Sequence, residues 1–110
     1  METLLAPAPL NNNLRLADWK IKCSVKESSF GTVIPQPRDI ARRAVNKIKR
    51  QKANPVKFYG DAHIQIVEDE IEKCVRLHRS GLTFPPKYNY TIEVEKSGYF
   101  VTAKVKSMPE

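Results

Sequence analysis

The chain has 110 residues, a length that suits one domain whose core needs no disulfide or metal to hold it together. Apolar residues make up 41% of it, which excludes a wholly disordered protein. No apolar run approaches the roughly 20 residues of a membrane-spanning helix, and no secretory signal is visible. The sequence therefore predicts no membrane span and an intracellular location, and its net charge of +7 favours a polyanionic partner.

The excess positive charge comes from one segment of the chain. Residues 38–57 hold eight of the 19 basic residues and one acid, Asp39, so their net charge equals that of the whole protein. Elsewhere the basic and acidic residues balance. This segment is therefore the first candidate for a binding surface.

The organisation expected along the chain is simple. Residues 1–13, with their prolines and run of asparagines, are predicted to be a flexible arm. Residues 14–106 are predicted to form a single α+β domain, and residues 107–110 to fray. Cys23 and Cys74 do not form a CxxC pair, so free thiols in a reducing compartment are expected.

The first strand is predicted over Ala17–Val25, where apolar and polar residues alternate. Thr32–Ile34 is predicted to return as a short second strand, which Pro35 ends.

Two helices are predicted to follow. Residues 38–51 place apolar residues on one arc and cations on the opposite arc. The second helix runs from about Asp61, a good N-cap residue, to Ser80, just before Gly81. Its core face is predicted to hold Ile64, Val67, Ile71, Cys74, Val75 and His78. Ile66 and Leu77 fall on its far side, where a helix with one buried face should be polar.

The clearest element is a hairpin over residues 88–106. A two-residue turn, Ser97–Gly98, is predicted to pair Val94 with Val101, Ile92 with Ala103, and Tyr90 with Val105, which places the apolar residues on one face. The predicted fold is α+β, a small antiparallel sheet of three to four strands with two helices packed on one face. The predicted core comprises Trp19, Ile21, Ile48, Ile64, Val67, Ile71, Tyr90, Ile92, Val94 and Val101.

The cations of the first helix predict phosphate contacts, which supply sequence-independent affinity by releasing counterions. The candidate nucleic-acid-binding residues are Arg38, Arg42, Arg43, Lys47, Lys49, Arg50, Lys52 and Lys57. The competing interpretation is a solvated helix face, or one that pairs with the acids at the front of the second helix. Those acids are Glu68, Asp69, Glu70 and Glu72. An acidic protein would satisfy the same cations.

Aromatic rings beside a basic surface favour nucleic acid, because bases stack on exposed rings. Phe100 is predicted to project from the polar face of the hairpin, Phe30 lies in a turn, and Phe58 and Tyr59 follow the basic helix. The alternative role of Phe100 is packing in a second layer or a subunit interface.

The element order β–α–α–β–β resembles the core of KH-type RNA-binding domains. That family needs a GxxG loop between its two helices. Residues 52–60 contain one glycine, Gly60, and no GxxG. The chain is therefore not assigned to that family.

The sequence predicts neither a metal site nor a catalytic site. Cys74 and His78 stand one turn apart, and His63 and Cys23 complete a set of four, but no pair has zinc-finger spacing. Nucleophile-elbow, zinc-protease, P-loop and dinucleotide-binding motifs are all missing from the sequence. We therefore expect no enzyme, no cofactor and no metal.

The predicted function is a non-enzymatic nucleic-acid-binding accessory protein, in the cytoplasm or nucleus, or in a host cell if the protein is viral. The alternative is a structural or interaction protein that self-assembles through the second helix or the hairpin edge, or that blocks a partner protein. A homodimer is predicted to cover Ile66 and Leu77. The alternatives are a later start of the second helix, which would leave Ile66 in irregular structure, and cover of that side by the N-terminal arm.

Overall fold

The computed structural model describes residues 2–4, 8–9, 18–51, 61–98 and 100–110. Within them, three long antiparallel strands form a sheet with two helices on one face, which confirms the predicted α+β class. The elements are β1 (Glu2–Leu4), β2 (Ala8–Pro9), β3 (Trp19–Lys26), a 3₁₀ turn (Glu27–Phe30), α1 (Pro37–Lys49), α2 (Asp61–Arg79), β4 (Tyr88–Ser97) and β5 (Phe100–Pro109).

The strands lie in the order β1–β5–β4–β3, and β2 also pairs with β5. The N-terminal segment, predicted to be a flexible arm, therefore adds two short strands to the outer edge of the hairpin. Glu2–Leu4 pairs with Lys104–Lys106, and Ala8–Pro9 pairs with Phe100–Val101. An edge strand offers unpaired backbone groups, and these short segments satisfy part of that edge.

The hairpin is present, but its predicted register is wrong by two residues. Val94 pairs with Ala103, where Val101 was predicted, and Ser97 pairs with Phe100. Gly98 has a φ of +60°, a conformation that glycine adopts without steric cost. A shift of two leaves every side chain on its predicted face, which is why the apolar pattern could not reveal it.

The fourth strand predicted at Thr32–Ile34 is not seen among the described residues. The chain turns through Glu27–Phe30 and then Gly31, whose φ is +77°. The buried Glu27 side chain accepts the backbone N–H of Tyr88 at 2.6 Å, which fixes this turn against β4.

The C-terminal residues predicted to fray lie in β5 instead, as far as Pro109. The backbone N–H of Glu110 donates to the carbonyl of Lys87, and its carboxylate accepts the N–H and the hydroxyl of Ser28.

α1 begins at Pro37, where a missing N–H has no cost, and Asp39 accepts the Gln36 N–H at 2.9 Å. Five apolar residues of α1 are buried, as its pattern predicts. They are Ile40, Ala41, Ala44, Val45 and Ile48.

α2 packs on α1, on β5 and on the short β1, so its buried arc is wider than a single stripe. Ile66, placed by the sequence on the exposed side, is partly buried and packs against the core, whereas Leu77 is 51% exposed. Ile66 therefore does not lie on the exposed side of α2, where its helical position had placed it. The predicted core is confirmed, with Trp19 and Ile64 partly buried at its margin.

Candidate nucleic-acid interface

Six of the eight predicted binding residues lie on the outward surface of α1 or just after its end. We call this set the α1 basic face: Arg38, Arg42, Arg43, Lys47, Lys49 and Arg50. Lys52 and Lys57 lie outside the described residues. The helix presents these cations because its apolar residues occupy the opposite arc and pack on the sheet and α2.

On the side of α2, two arginines of the basic face pair with acids. Arg38 Nε donates to Glu72 Oε1 at 3.0 Å, and Arg42 Nε lies 3.8 Å from Glu68 Oε1. Both arginines are largely exposed. The competing interpretation, pairing of the two helices, is thus realised for these two residues. Exposed ion pairs are weak, so a phosphate can compete for the same guanidinium groups.

On the side of β3, two cations contact uncharged groups. Arg43 Nη1 donates to the Ser29 hydroxyl at 3.0 Å, and Lys47 donates to the carbonyl of Ser24. Gln51 donates to the carbonyl of Lys22 at 2.9 Å. The carbonyls of Ser24 and Lys22 lie on the outer edge of β3, so Lys47 and Gln51 partly cover that edge.

A cavity of about 220 Å³ opens on the α1 basic face. It is lined by Phe30, Asp39, Arg42, Arg43 and Asn46, and we call it the Phe30 cavity. The Arg43 guanidinium lies over the Phe30 ring, with Cζ 4.2 Å from the ring centroid. Two guanidinium groups, an aromatic ring, an amide and one carboxylate therefore meet in one concave surface.

At the C-terminal end of α1, Lys49 and Arg50 are exposed. Within the described part of the chain, their side chains make no ion pair or hydrogen bond. The last turn of a helix also carries partial negative charge, which favours cations there. Among the cations of the α1 basic face, these two therefore make the fewest hydrogen bonds and ion pairs with the described chain.

The aromatic candidates divide into three groups. Phe30 is in the Phe30 cavity. Phe100 is the first residue of β5, and its side chain is 49% exposed. Phe58 and Tyr59 lie outside the described residues.

The count of charges along the sequence did not reveal a second basic surface. The sheet face that the helices leave open carries a cavity of about 150 Å³, lined by Lys22, Thr91, Glu93, Lys104 and Lys106. Lysines of β3 pair there with acids of β4, for example Lys20 with Glu95 at 3.3 Å. The alternation of the strands could have indicated this surface, because these residues share the polar face.

Buried ionisable residues were also missed, among them Glu70 of α2, which is 3% exposed. Glu27 is 1% exposed and Lys96 is 0% exposed, with its Nζ 3.7 Å from Asp18 Oδ1. Each continues the inward positions of its strand, after Val25 and Val94 respectively, so extending the alternation by one step would have found both. Burial and the charge of Glu27 raise the pKa of Tyr90 above its usual range.

Two of the residues considered for a metal site, Cys74 and His78, make hydrogen bonds within the fold. Cys74 Sγ donates to the carbonyl of Ala103 at 3.4 Å, and His78 Nε2 is 2.7 Å from the Ser107 hydroxyl. The described residues contain no group of three or more potential metal ligands. Cys23 and Cys74 are both free thiols, and burial raises the pKa of Cys23 to about 11, which disfavours the reactive thiolate.

Among the helices described, none has the length and apolar character to cross a membrane. Comparison with known proteins gave no match to any family model, characterised protein or solved structure.

Proposed function

We propose that this protein is a non-enzymatic nucleic-acid-binding protein that uses the α1 basic face. The observation that carries the proposal is the Phe30 cavity, where Arg42, Arg43, Asn46 and an aromatic ring converge beside Asp39, whose carboxylate caps α1. Guanidinium groups hold phosphate oxygens in a bidentate manner, and an aromatic ring offers a surface on which a base can stack. This combination fits a nucleotide better than it fits an acidic side chain.

The members of the basic face have different roles in the proposal. Arg42, Lys49 and Arg50 supply phosphate contacts, because they are exposed and only Arg42 makes an ion pair, at 3.8 Å. Lys47 is assigned to the fold, since it bonds to the outer edge of β3. Arg43 has both roles, because it orders the Phe30 ring and borders the cavity.

Binding of this kind is electrostatic and independent of base sequence. Each phosphate that a cation neutralises releases counterions, so affinity falls steeply as salt rises. The proposal therefore predicts a steep salt dependence with little preference among sequences.

The test is a fluorescence-anisotropy titration of labelled DNA and RNA oligonucleotides at several salt concentrations. In the variant Arg42→Gln/Lys49→Gln/Arg50→Gln, we expect weaker binding and a salt slope reduced by up to about three, roughly one for each lost contact. Phe30→Leu, which keeps an apolar side chain on the core, is expected to weaken binding to single strands by removing the stacking surface.

The matched control is Lys20→Gln/Lys73→Gln/Lys104→Gln. The control removes the same amount of positive charge, but from the open sheet face and from α2. If only the net charge of the protein mattered, the control would lose as much affinity for nucleic acid as the first triple variant. We expect the control to retain most of the affinity. Equal losses in both triple variants, with circular dichroism unchanged, would refute the assignment to the α1 basic face.

A further inference from the structure

In the described sheet, the outer edge of β3 is a long edge with which no other strand pairs. β3 has eight residues and pairs only with β4, whereas the opposite edge of the sheet, that of β5, is partly paired with β1 and β2. Gln51 and Lys47 donate to the carbonyls of Lys22 and Ser24. These two residues of β3 therefore direct their backbone groups away from β4. We call this row of groups the β3 edge.

The β3 edge retains backbone donors. In an extended strand the N–H and the C=O of one residue point to the same side, so the N–H groups of Lys22 and Ser24 also face outward. Among the described residues, none accepts a hydrogen bond from either group. Side chains of α1 and its end thus satisfy carbonyls of the edge, but not its donors. An added strand supplies both kinds of partner, and edges of this kind bind extended peptides.

The side chains along the β3 edge are positively charged on the open sheet face. Lys20, Lys22 and Lys26 are exposed and share that face, because alternate residues of a strand point the same way. From the neighbouring strand β4, Glu95 lies 3.3 Å from Lys20 and Glu93 lies 3.6 Å from Lys22. β4 therefore shows within the fold which strand these lysines pair with, one that carries acids at alternating positions.

These features distinguish between possible occupants of the β3 edge. A second copy of β3 would bring lysines against lysines, which is unfavourable between paired strands. The phosphodiester backbone of a nucleic acid lacks the alternating donors and acceptors of a strand. An extended acidic peptide matches both the backbone groups and the lysines.

We propose that the β3 edge binds an extended segment of a partner protein as an additional antiparallel strand, with acidic residues at alternating positions. Its acids face Lys20, Lys22 and Lys26, and its backbone bonds to the outward groups of β3. Its other side chains are apolar, because Trp19 and Cys23 on the inner face of β3 are only half-buried. The antiparallel direction matches the rest of the sheet and gives the slightly more stable pairing.

The contacts that α1 makes with β3 are compatible with this strand. A carbonyl oxygen has two lone pairs, so the carbonyls bonded to Lys47 and Gln51 can each accept a second hydrogen bond. The β3 edge includes none of the phosphate contacts assigned above to Arg42, Lys49 and Arg50. The inference therefore does not depend on the proposed function.

The probe is the blocked peptide Thr-Glu-Val-Glu-Val-Glu-Thr, which repeats the Glu-Val-Glu order of β4. Two matched peptides each carry one N-methyl group, either on the central glutamate or on the valine that follows it. In the proposed pairing the glutamate N–H points to β3 and the valine N–H points to solvent. We expect the N-methylglutamate peptide to bind on the order of tenfold more weakly than the parent, and the N-methylvaline peptide to bind as the parent does.

Amide NMR of the whole chain locates the contact. When the parent peptide saturates the chain, we expect the amide signals of Lys22 and Ser24 to shift and their hydrogen exchange to slow. The intervening amide of Cys23 points towards β4 and is expected to change less.

Two lysine variants test the charges. Lys20→Gln/Lys22→Gln is expected to bind the parent peptide about three- to tenfold more weakly, the factor for two cross-strand ion pairs. The matched control Lys104→Gln/Lys106→Gln removes the same charge from β5 on the same sheet face, and we expect it to keep most of the affinity. Equal losses in the two variants would overturn the assignment to the β3 edge.

The proposal is also overturned if the N-methylglutamate peptide binds the native chain as tightly as the parent, since backbone hydrogen bonds would then contribute nothing. The same follows if the parent peptide at millimolar concentration shifts neither the Lys22 nor the Ser24 amide. Both results come from the native chain, so they hold even if Lys20→Gln/Lys22→Gln fails to fold.

Discussion

Arg42 and Lys47 belong to the same helix and carry the same charge, yet their surroundings assign them different roles. The Arg42 guanidinium is exposed and reaches only Glu68, while the Lys47 ammonium is bonded to the backbone of β3. Replacing Arg42 removes an exposed charge, whereas replacing Lys47 also leaves a strand carbonyl without its donor. The helical period places both residues on one arc. Only the contact of Lys47 with the neighbouring strand distinguishes their roles.

His63 and His78 give the fold a predicted dependence on pH. Burial lowers the pKa of each imidazole below its ordinary value of 6.5, so the folded state binds fewer protons than the unfolded state. The stabilisation is complete above the unfolded pKa and is lost as the pH falls from about 6.5 towards the lowered values. We expect urea unfolding to give a smaller free energy of unfolding at about pH 5.5 than at about pH 7.5.

The control for this prediction is His63→Gln/His78→Gln. Glu70 acts in the opposite direction, because burial raises its pKa and the folded state takes up its proton first as the pH falls. The double variant keeps the Glu70 contribution and loses the histidine one, so the difference between the two pH profiles isolates the imidazoles. A native profile that matches that of the variant would contradict the prediction.

At the scale of the elements, the corrected hairpin register changes what substitutions should do. Val94 is buried opposite Ala103, whereas Val101 lies opposite the buried Lys96. An aspartate at 94 would be a buried, unpaired charge, which typically costs about 3–5 kcal/mol. An aspartate at 101 would face an ammonium group, and one at 102 would point to the open side of the sheet.

We therefore expect loss of stability in the order Val94→Asp, then Val101→Asp, then Thr102→Asp, measured by urea denaturation. In the register predicted from the sequence, Val94 and Val101 face each other and would be equally sensitive. Equal losses at 94 and 101 would thus support the predicted register over the observed one. Equal losses at 101 and 102 would mean that both faces of the sheet are covered.

The elements show how far a sequence can predict this fold. The period of two in β3 and β4 and the period of 3.6 in α1 identify which residues are buried, because burial follows side-chain direction. Register is not identified, since a slip of two residues preserves every face. Nor could the sequence show that no strand follows at Thr32–Ile34, because the turn before it is held by a contact between Glu27 and Tyr88, 61 residues apart in the chain.

At the scale of the whole molecule, the balance of charges along the sequence does not show how the charges are arranged in the folded protein. The acids of α2 lie against the arginines of α1, and the acids of β4 lie among the lysines of β3. The candidate site was predicted as a set of cations, and the structure adds the aromatic ring and the amide beside them. No local pattern joins Phe30 to Arg43, which meet only because the 3₁₀ turn and α1 pack together.

The predicted homodimer also has to be considered at this scale. Its basis was an apolar side of α2 formed by Ile66 and Leu77, and Ile66 packs against the core instead. One exposed leucine contributes roughly 1.5–3 kcal/mol on burial, against about 8 kcal/mol for a micromolar complex. The outer edge of β5 is partly paired with β1 and β2, which limits assembly through the hairpin.

The geometry therefore leads us to expect a monomer at micromolar concentration, measured by sedimentation velocity, and Leu77→Lys should sediment like the native chain. A native dimer that Leu77→Lys dissociates would contradict this expectation and restore the interface on α2. A native dimer that survives Leu77→Lys but dissociates in Val33→Ser/Ile34→Ser would place the contact at Val33 and Ile34, which are also exposed apolar residues of the described chain.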